Sequence, residues 1–232
     1  MVSVLPQVAK LGGMALDLLF PKWCLGCDKE GTFICSSCSS TMPRVMPPLC
    51  PRCGRPQASN ILCSRCVRWA AEIDGIRAPY RFEGVVRQSV YKLKYENLRA
   101  ITEHLAQMLY SYISENQVPG DVLVPVPLHS KRLRERGYNQ ATLLAMELSK
   151  LTGLPLLTDH LIRERDTHPQ ALTKTASERQ GNVTNAFYSR ELRYREVLLI
   201  DDVATSGATL NACAAALKAA GATSVWGLVL AR

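Results

Sequence analysis

Eight of the nine cysteines lie between positions 24 and 66, in four pairs of one spacing: CLGC (24–27), CSSC (35–38), CPRC (50–53) and CSRC (63–66). Each short CxxC turn offers two sulfurs to one ion, so four such turns supply two tetrahedral thiolate sites, the coordination that structural zinc takes. Cys24, Cys27, Cys35, Cys38, Cys50, Cys53, Cys63 and Cys66 are therefore the candidate zinc ligands. Spacing alone leaves open whether adjacent or interleaved pairs share an ion. A disulfide framework belongs to small secreted domains and is opposed here by the cysteine-poor remainder and by the lack of a recognisable secretory signal. A redox CxxC is expected once, against a βαβ pattern, and not four times in a Pro-rich stretch with little apolar periodicity.

A module this small buries little surface, so the metal supplies most of its folding free energy. No His or carboxylate stands where it would leave an open coordination position, which makes both sites structural. Basic residues are scattered among the knuckles (Lys22, Lys29, Arg44, Arg52, Arg55, Arg65, Arg68), with Trp23 and Trp69 beside them. They suit a nucleic-acid surface and equally the solvated charge of a zinc ribbon.

The preceding stretch, MVSVLPQVAKLGGMALDLLFPKW, has no basic cluster before its apolar part. Lys10 and Asp17 interrupt it, and Pro6 and Pro21 bracket less than a membrane span. It reads as a short amphipathic helix over residues 1–20 docking on the body rather than as an anchor. No membrane insertion is expected elsewhere, and a cytoplasmic location follows as an expectation.

After Trp69 the pattern changes. An extended segment to about Phe82 precedes apolar positions three and four apart through Leu109, divided near Glu96 and Asn97 into two helices. DVLVPVPL (121–128) reads as a buried strand, HSKRLRERGYNQ as a basic loop, and about 139–151 as a helix stopped by Gly153 and Pro155. LPLL and the segment to Ile162 suggest a short strand, and 163–182 a polar loop. EVLLI, an Ala-rich helix (about 208–220) and SVWGLVLAR close the chain as strand, helix, strand. Alternating strands and helices in a chain of 232 residues argue an α/β fold: an open parallel sheet with helices on both faces, preceded by the Cys-rich module. The organisation expected is a helix over 1–20, a double zinc ribbon over 21–70 and an α/β domain over 71–232.

The chemistry concentrates in EVLLIDDVATSGATL (196–210). A buried parallel strand delivers Asp201 and Asp202 to its carboxyl end, where open α/β sheets bind ligands. The loop that follows feeds straight into a helix: Gly207 allows a tight turn, successive N–H groups converge on an anion, and Thr205, Ser206 and Thr209 add hydroxyls. A Walker loop needs GxxxxGK and a dinucleotide fingerprint GxGxxG, and neither occurs here. What remains is a phosphate cradle beside two acids able to accept from sugar hydroxyls, a fit for a ribose 5-phosphate.

LIDDVATSGAT (199–209) resembles, position for position, the signature of the type I phosphoribosyltransferases. The wider chain is similar to the ComF/GntX family, competence-associated proteins that join a zinc ribbon to such a domain. The likeness rests on the ribbon, YRFEGVVRQSVYKLKY (80–95), PVPLHSKRLRERGYNQ (125–140), the spacing of Gln170, Leu172, Arg179, Asn182, Ala186 and Phe187, and the C-terminal signature. It implies that Asp201 and Asp202 bind the ribose hydroxyls of phosphoribosyl pyrophosphate (PRPP). Ala204, Thr205, Ser206, Gly207, Ala208 and Thr209 would bind its 5-phosphate. It also implies magnesium accompanying PRPP, a hood segment at about 71–118, and a role in DNA uptake and utilisation.

Transfer from PRPP requires stabilisation of the departing pyrophosphate. The basic segment after 121–128 holds His129, Lys131, Arg132, Arg134 and Arg136; Lys131 and Arg132 are the expected pyrophosphate ligands, with Arg136 next. Arg163, Arg165, Lys174 and Arg179 could reach phosphate from the 163–182 loop, whereas His168 reads as a solvated loop residue. Lys92 and Lys94 in the hood are equally consistent with ligand contact and with surface charge. Cys213 sits in the Ala-rich helix as a small buried residue. The formal charge of +8 leans the same way, towards anionic partners. Two functions remain expected: a phosphoribosyltransferase of undetermined acceptor, or a non-catalytic PRPP-sensing or single-stranded-DNA-binding adaptor meeting DNA-uptake proteins.

Overall fold

The computed structural model describes residues 21–164 and 186–232. The expected helix over 1–20, the 165–182 part of the polar loop with Arg165, His168, Lys174 and Arg179, and the Gln170, Leu172 and Asn182 positions lie outside the described residues.

Hydrophobic strands build the centre. β1 (Gly75–Arg77), β2 (Val122–Pro125), β5 (Glu196–Val203) and β6 (Ser224–Ala231) form a sheet in the order β1-β6-β5-β2. Every pairing in it is parallel. β2 and the first five positions of β5 are almost wholly apolar, as strands covered on both faces must be. β3 (Leu161–Arg163) and β4 (Phe187–Ser189) pair antiparallel in a separate ribbon, with Leu161 opposite Ser189 and Arg163 opposite Phe187. The open parallel sheet read from the sequence is therefore present. The LPLL stretch joins it only through a parallel bridge of Leu156 to Leu123.

Alternation along β5 serves two cores. Val197 and Leu199 face one, shared with α7 (Ala208–Ala219) and with the β3–β4 ribbon. Leu198 and Ile200 face the other, built with α3 (Gly84–Tyr95), α4 (Thr102–Glu115) and α6 (Gln140–Thr152). The expected division near Asn97 is a left-handed residue at φ 55°, after which a 3₁₀ turn (Arg99–Ile101) leads into α4. α6 starts at an Asn139 cap, whose side chain accepts from the Ala141 N–H, and stops at Gly153 with φ 74°.

The basic segment after β2 is a helix rather than a loop. α5 spans Ser130–Arg136, capped by His129 and closed by Gly137 at φ 78°. Its seven residues offer only Leu133 as an apolar position, so no periodicity marks them.

The cysteine-rich module carries two short helices, α1 (Ser36–Ser40) and α2 (Ser64–Val67), each starting inside a knuckle, with Cys35 and Cys63 at the N-caps and Cys38 and Cys66 within the helices. It lies along the β1 edge. Ile76 N donates to Arg52 O at 2.7 Å, Val45 N to Pro79 O at 2.9 Å and Arg81 N to Pro43 O at 2.8 Å. Cys50, Cys53, Cys66 and Trp69 are buried in the same core as α7, while Ile34 and Met42 belong to the core of α3 and α4. No helix among the described residues is long and apolar enough to cross a membrane.

Candidate functional site

The eight ligand candidates gather into two groups, Cys24, Cys27, Cys35, Cys38 and Cys50, Cys53, Cys63, Cys66, with sulfurs in each group within 4.8 Å of one another. Successive pairs therefore share an ion, which settles what the spacing left open. Tetrahedral Zn–S bonds of about 2.3 Å place neighbouring sulfurs roughly 3.8 Å apart. Cys27 Sγ and Cys35 Sγ are 3.6 Å apart, and Cys53 Sγ and Cys63 Sγ 3.8 Å.

Backbone N–H groups also point at the sulfurs: Cys35 N at Cys24 Sγ (3.3 Å) and Cys63 N at Cys50 Sγ (3.4 Å). Burial opposes ionisation of Cys24, but N–H groups of Cys35, Gly26 and Cys27 outweigh it and bring the thiol down to about 6. Cys50 is brought to about 6 in the same way, by Cys63, Cys53 and Arg52. Neighbouring sulfurs push Cys38 up to about 12, and burial with the sulfur contacts raises Cys53 and Cys66, so in each group one thiol ionises readily and a bound ion must displace the remaining protons. Beside the second group, Arg232 buries an Nη1 that has no hydrogen-bond partner, and its charge acts on Cys53 and Cys66. A guanidinium beside these two sulfurs is compensated by the negative charge that a zinc ion bound to four thiolates retains. Both groups fit structural zinc. Cys213 stands apart from both, fully buried in α7, and burial raises its thiol well above the usual range.

Parallel pairing sends the carboxyl ends of β2, β5 and β6 to one edge of the sheet. Pro125 lies beside Ile200, and Val126 N donates to Ile200 O at 2.9 Å. The turn after β5 and the basic helix after β2 therefore leave that edge as neighbours. β5 itself continues through Val203, so the two acids stand inside the strand and alternation separates them. Asp201 follows Leu199 toward α7 and β3, where Arg163 acts on it; Asp202 follows Ile200 toward α3.

There Lys94 Nζ meets Asp202 at 2.9 Å from Oδ1 and 2.7 Å from Oδ2. The Asp202 side chain is 3% exposed and that of Lys94 22%. Lys94 was indistinguishable from a surface charge in the sequence. One signal was available: it lies four residues after the buried Val90, on the apolar stripe of α3, where a lysine needs an acid.

Asp201 accepts from the Asp202 N–H at 2.8 Å. Burial, and then the neighbouring charge of Asp202, push its carboxyl up to about 7; Lys94, that N–H and Arg163 pull the other way. The unfolded carboxyl titrates at about 4, so the folded chain binds the Asp201 proton more tightly. Its stabilising contribution is complete below about pH 4 and is lost as pH rises through about 7. Asp201→Asn is therefore expected to raise the melting temperature by several degrees at pH 8, a gain that shrinks toward pH 4. Thermal unfolding across that range measures it; a pH-independent difference would rule out the burden assigned to this carboxyl.

The phosphate-loop candidates occupy the turn into α7. Gly207 takes φ 81°, and a Cβ there would come within 2.9 Å of Ile76 Cδ1 and 3.2 Å of Trp69 Cη2. Ala204 is buried, Thr205 is exposed, and Ser206, Ala208 and Thr209 are partly exposed. Ser206 Oγ accepts from Ala208 N at 3.2 Å.

Of the basic candidates, Arg136 is held in place: it donates to the Gln140 side chain and lies 5.6 Å from the Tyr95 ring centroid. Lys131 is exposed, Arg132 partly so, and neither pairs with a carboxylate among the described residues. Tyr138 and Asn139 of the GYNQ stretch brace the edge. Tyr138 Oη donates to Leu93 O, next to Lys94, and Asn139 Nδ2 donates to Val126 O at 2.9 Å.

Residues 15–67 match the double zinc ribbon domain family. Over 211 residues the chain is 31% identical to Competence protein F of Haemophilus influenzae, covering 85% of this chain and 90% of that one. It is 30% identical to Competence protein ComFC of Bacillus subtilis over 86% of this chain and 84% of the relative. The DNA utilization protein YhgH of Escherichia coli K12 is 30% identical over 83% and 87%. Likeness at this level along almost the whole chain, added to the two cysteine clusters and the acid-bearing parallel sheet, places the protein in the ComF/GntX family.

Proposed function

We propose that the chain binds PRPP with magnesium at the carboxyl edge of the sheet and acts in DNA uptake and utilisation, as a phosphoribosyltransferase whose acceptor is open. The observation that carries the reading is the convergence at one edge of two acids, a turn entering a helix N-terminus, and a basic helix on the adjacent strand.

In this reading the N–H groups and hydroxyls of 204–209 take the 5-phosphate. Asp201, the more accessible acid, accepts from a ribose hydroxyl; Asp202 joins it where Lys94 gives way. Lys131, Arg132 and Arg136 face the pyrophosphate as its charge grows. Magnesium arrives with the substrate and neutralises that charge when bound. The work divides between a ribbon over 21–70 and a domain over 71–232, with α3 and α4 as the hood. The relatives named for competence and DNA utilization support the biological setting.

An adaptor that senses PRPP or holds single-stranded DNA is the second reading. It is favoured by Tyr91 and Tyr95, exposed on α3 with ring centroids 5.0 Å apart and Arg136 beside the second ring. Aromatic faces flanked by cations suit unpaired bases. Calorimetric titration of the zinc-loaded protein with PRPP and magnesium, with and without single-stranded DNA, tests both. Saturable binding to one site is expected. No heat at millimolar PRPP together with DNA binding would make the adaptor the function.

A further inference from the structure

The cysteine-rich module touches the turn between β5 and α7 directly. Arg55 Nη2 donates to Thr205 O at 3.3 Å, and Arg65 Nη2 to Ser206 O at 3.0 Å. A trans peptide is planar, with its N–H directed opposite to its C=O. Two carbonyls held toward the guanidinium groups therefore turn the N–H groups of Ser206 and Gly207 to the other side. Neither N–H donates to a backbone acceptor among the described residues.

The same cluster secures the turn from behind. Arg52 Nη1 donates to Cys66 O at 3.1 Å and to Trp69 O at 3.0 Å, and the Trp69 indole lies where a Gly207 side chain would project. Asn211, in the first turn of α7, accepts through Oδ1 from Glu72 N at 2.8 Å and Ile73 N at 3.2 Å. In sequence Arg52 stands between Cys50 and Cys53, Arg55 two places after Cys53, and Arg65 between Cys63 and Cys66. Whatever fixes these four sulfurs fixes the arginines.

We propose that Arg55 and Arg65 are positioning residues of the phosphate site: the second zinc ribbon sets the orientation of the two peptide planes whose N–H groups receive the anion. The proposal rests on the PRPP reading for the identity of that anion. It gives the ribbon a task at the ligand site distinct from any contact with nucleic acid. Loss of the guanidinium groups leaves the loop's composition intact and releases its peptides to rotate, so affinity falls while the cradle residues remain.

The test uses the full zinc-loaded chain. PRPP affinity with magnesium is measured for the unsubstituted protein, Arg55→Gln/Arg65→Gln, Arg55→Lys/Arg65→Lys and Arg68→Gln; Arg68 serves as control because it bonds locally to Ser64 O. Zinc content is measured in each. The double glutamine variant is expected to keep its zinc and bind at least about tenfold more weakly, the scale of losing oriented donors at an anion. The lysine pair recovers part of the loss, since each ammonium still donates to one carbonyl. Arg68→Gln binds normally. A role confined to holding the ribbon together would instead lower zinc content and stability without selective rescue by lysine.

Hydrogen exchange without ligand at the amides that the turn itself bonds, Ala208 N to Ser206 Oγ and Asn211 N to Gly207 O, is the second readout. It should quicken in the double glutamine variant and not in Arg68→Gln. Unsubstituted affinity in the double glutamine variant, or unchanged exchange at these amides, overturns the proposal. Should the unsubstituted protein itself fail to take PRPP, the reading of the ligand falls; the exchange measurement still decides whether the ribbon orders the turn.

Discussion

A Cys50→Ser variant is expected to carry one zinc ion per chain instead of two and to melt roughly 10–20 °C lower. A structural zinc site contributes about 10–16 kcal/mol in small peptides. Losing even about 5 kcal/mol of it lowers the midpoint of a chain this size by that interval, at roughly 2–4 °C per kcal/mol. The effect reaches beyond the ribbon because Cys50, Cys53 and Cys66 are buried in one core with Trp69, Ile73 and the inner face of α7. Cys24→Ser should also release one ion, but its cluster packs with Val85 and Phe33 on the α3 side, so its damage falls on the hood. Metal analysis and thermal unfolding of the two variants measure both effects. Full zinc content in either variant would overturn the ligand assignment for its cluster.

Converting both acids, Asp201→Asn with Asp202→Asn, is expected to weaken PRPP binding at least about a hundredfold while sparing the fold, the scale of losing charge-assisted hydrogen bonds to the sugar. The two substitutions act on stability in opposite senses. Asp201→Asn relieves a half-buried carboxyl whose charged form folding disfavours at neutral pH, whereas Asp202→Asn leaves Lys94 without its counter-charge. The Lys94 side chain, 22% exposed, has a route to water and limits that second cost. Titration calorimetry against PRPP with magnesium, alongside circular dichroism to certify folding, gives the answer. A folded double variant with unsubstituted affinity would remove the acids from the site.

What the sequence disclosed follows from the range of each interaction. The cysteine ligands were legible because a CxxC turn encodes its own geometry within four residues. Their sharing of ions was not, since it depends on how the segments between knuckles fold back. EVLLI announced a buried strand by composition. Its extension through Val203 was hidden, because Asp201 and Asp202 break the apolar run although backbone pairing with Val229 and Ala231 continues. α5 went unread for lack of a repeating apolar face. The short β3 and β4 are defined only by each other.

Within the site, the acids and the Gly207 turn were visible in one continuous string. Their partners Lys94, Arg55 and Arg65 lie 108, 150 and 141 residues away in the chain from the groups they bind. Separations of that size leave no local pattern. Only the helical position of Lys94 hinted at its burial.

The ribbon's place along β1 also bears on solubility. β1 is three residues long and occupies the end of the four-stranded sheet. The Ile76 amide, free of the β6 ladder, is taken by Arg52 O, and Gly54 approaches so closely that a Cβ would stand 2.2 Å from Ile76 O. Open strand edges recruit other chains. Stripping the metal releases the cap from this edge and exposes Trp69 and Ile73 with it, so a zinc-starved chain is poised for intermolecular strand pairing.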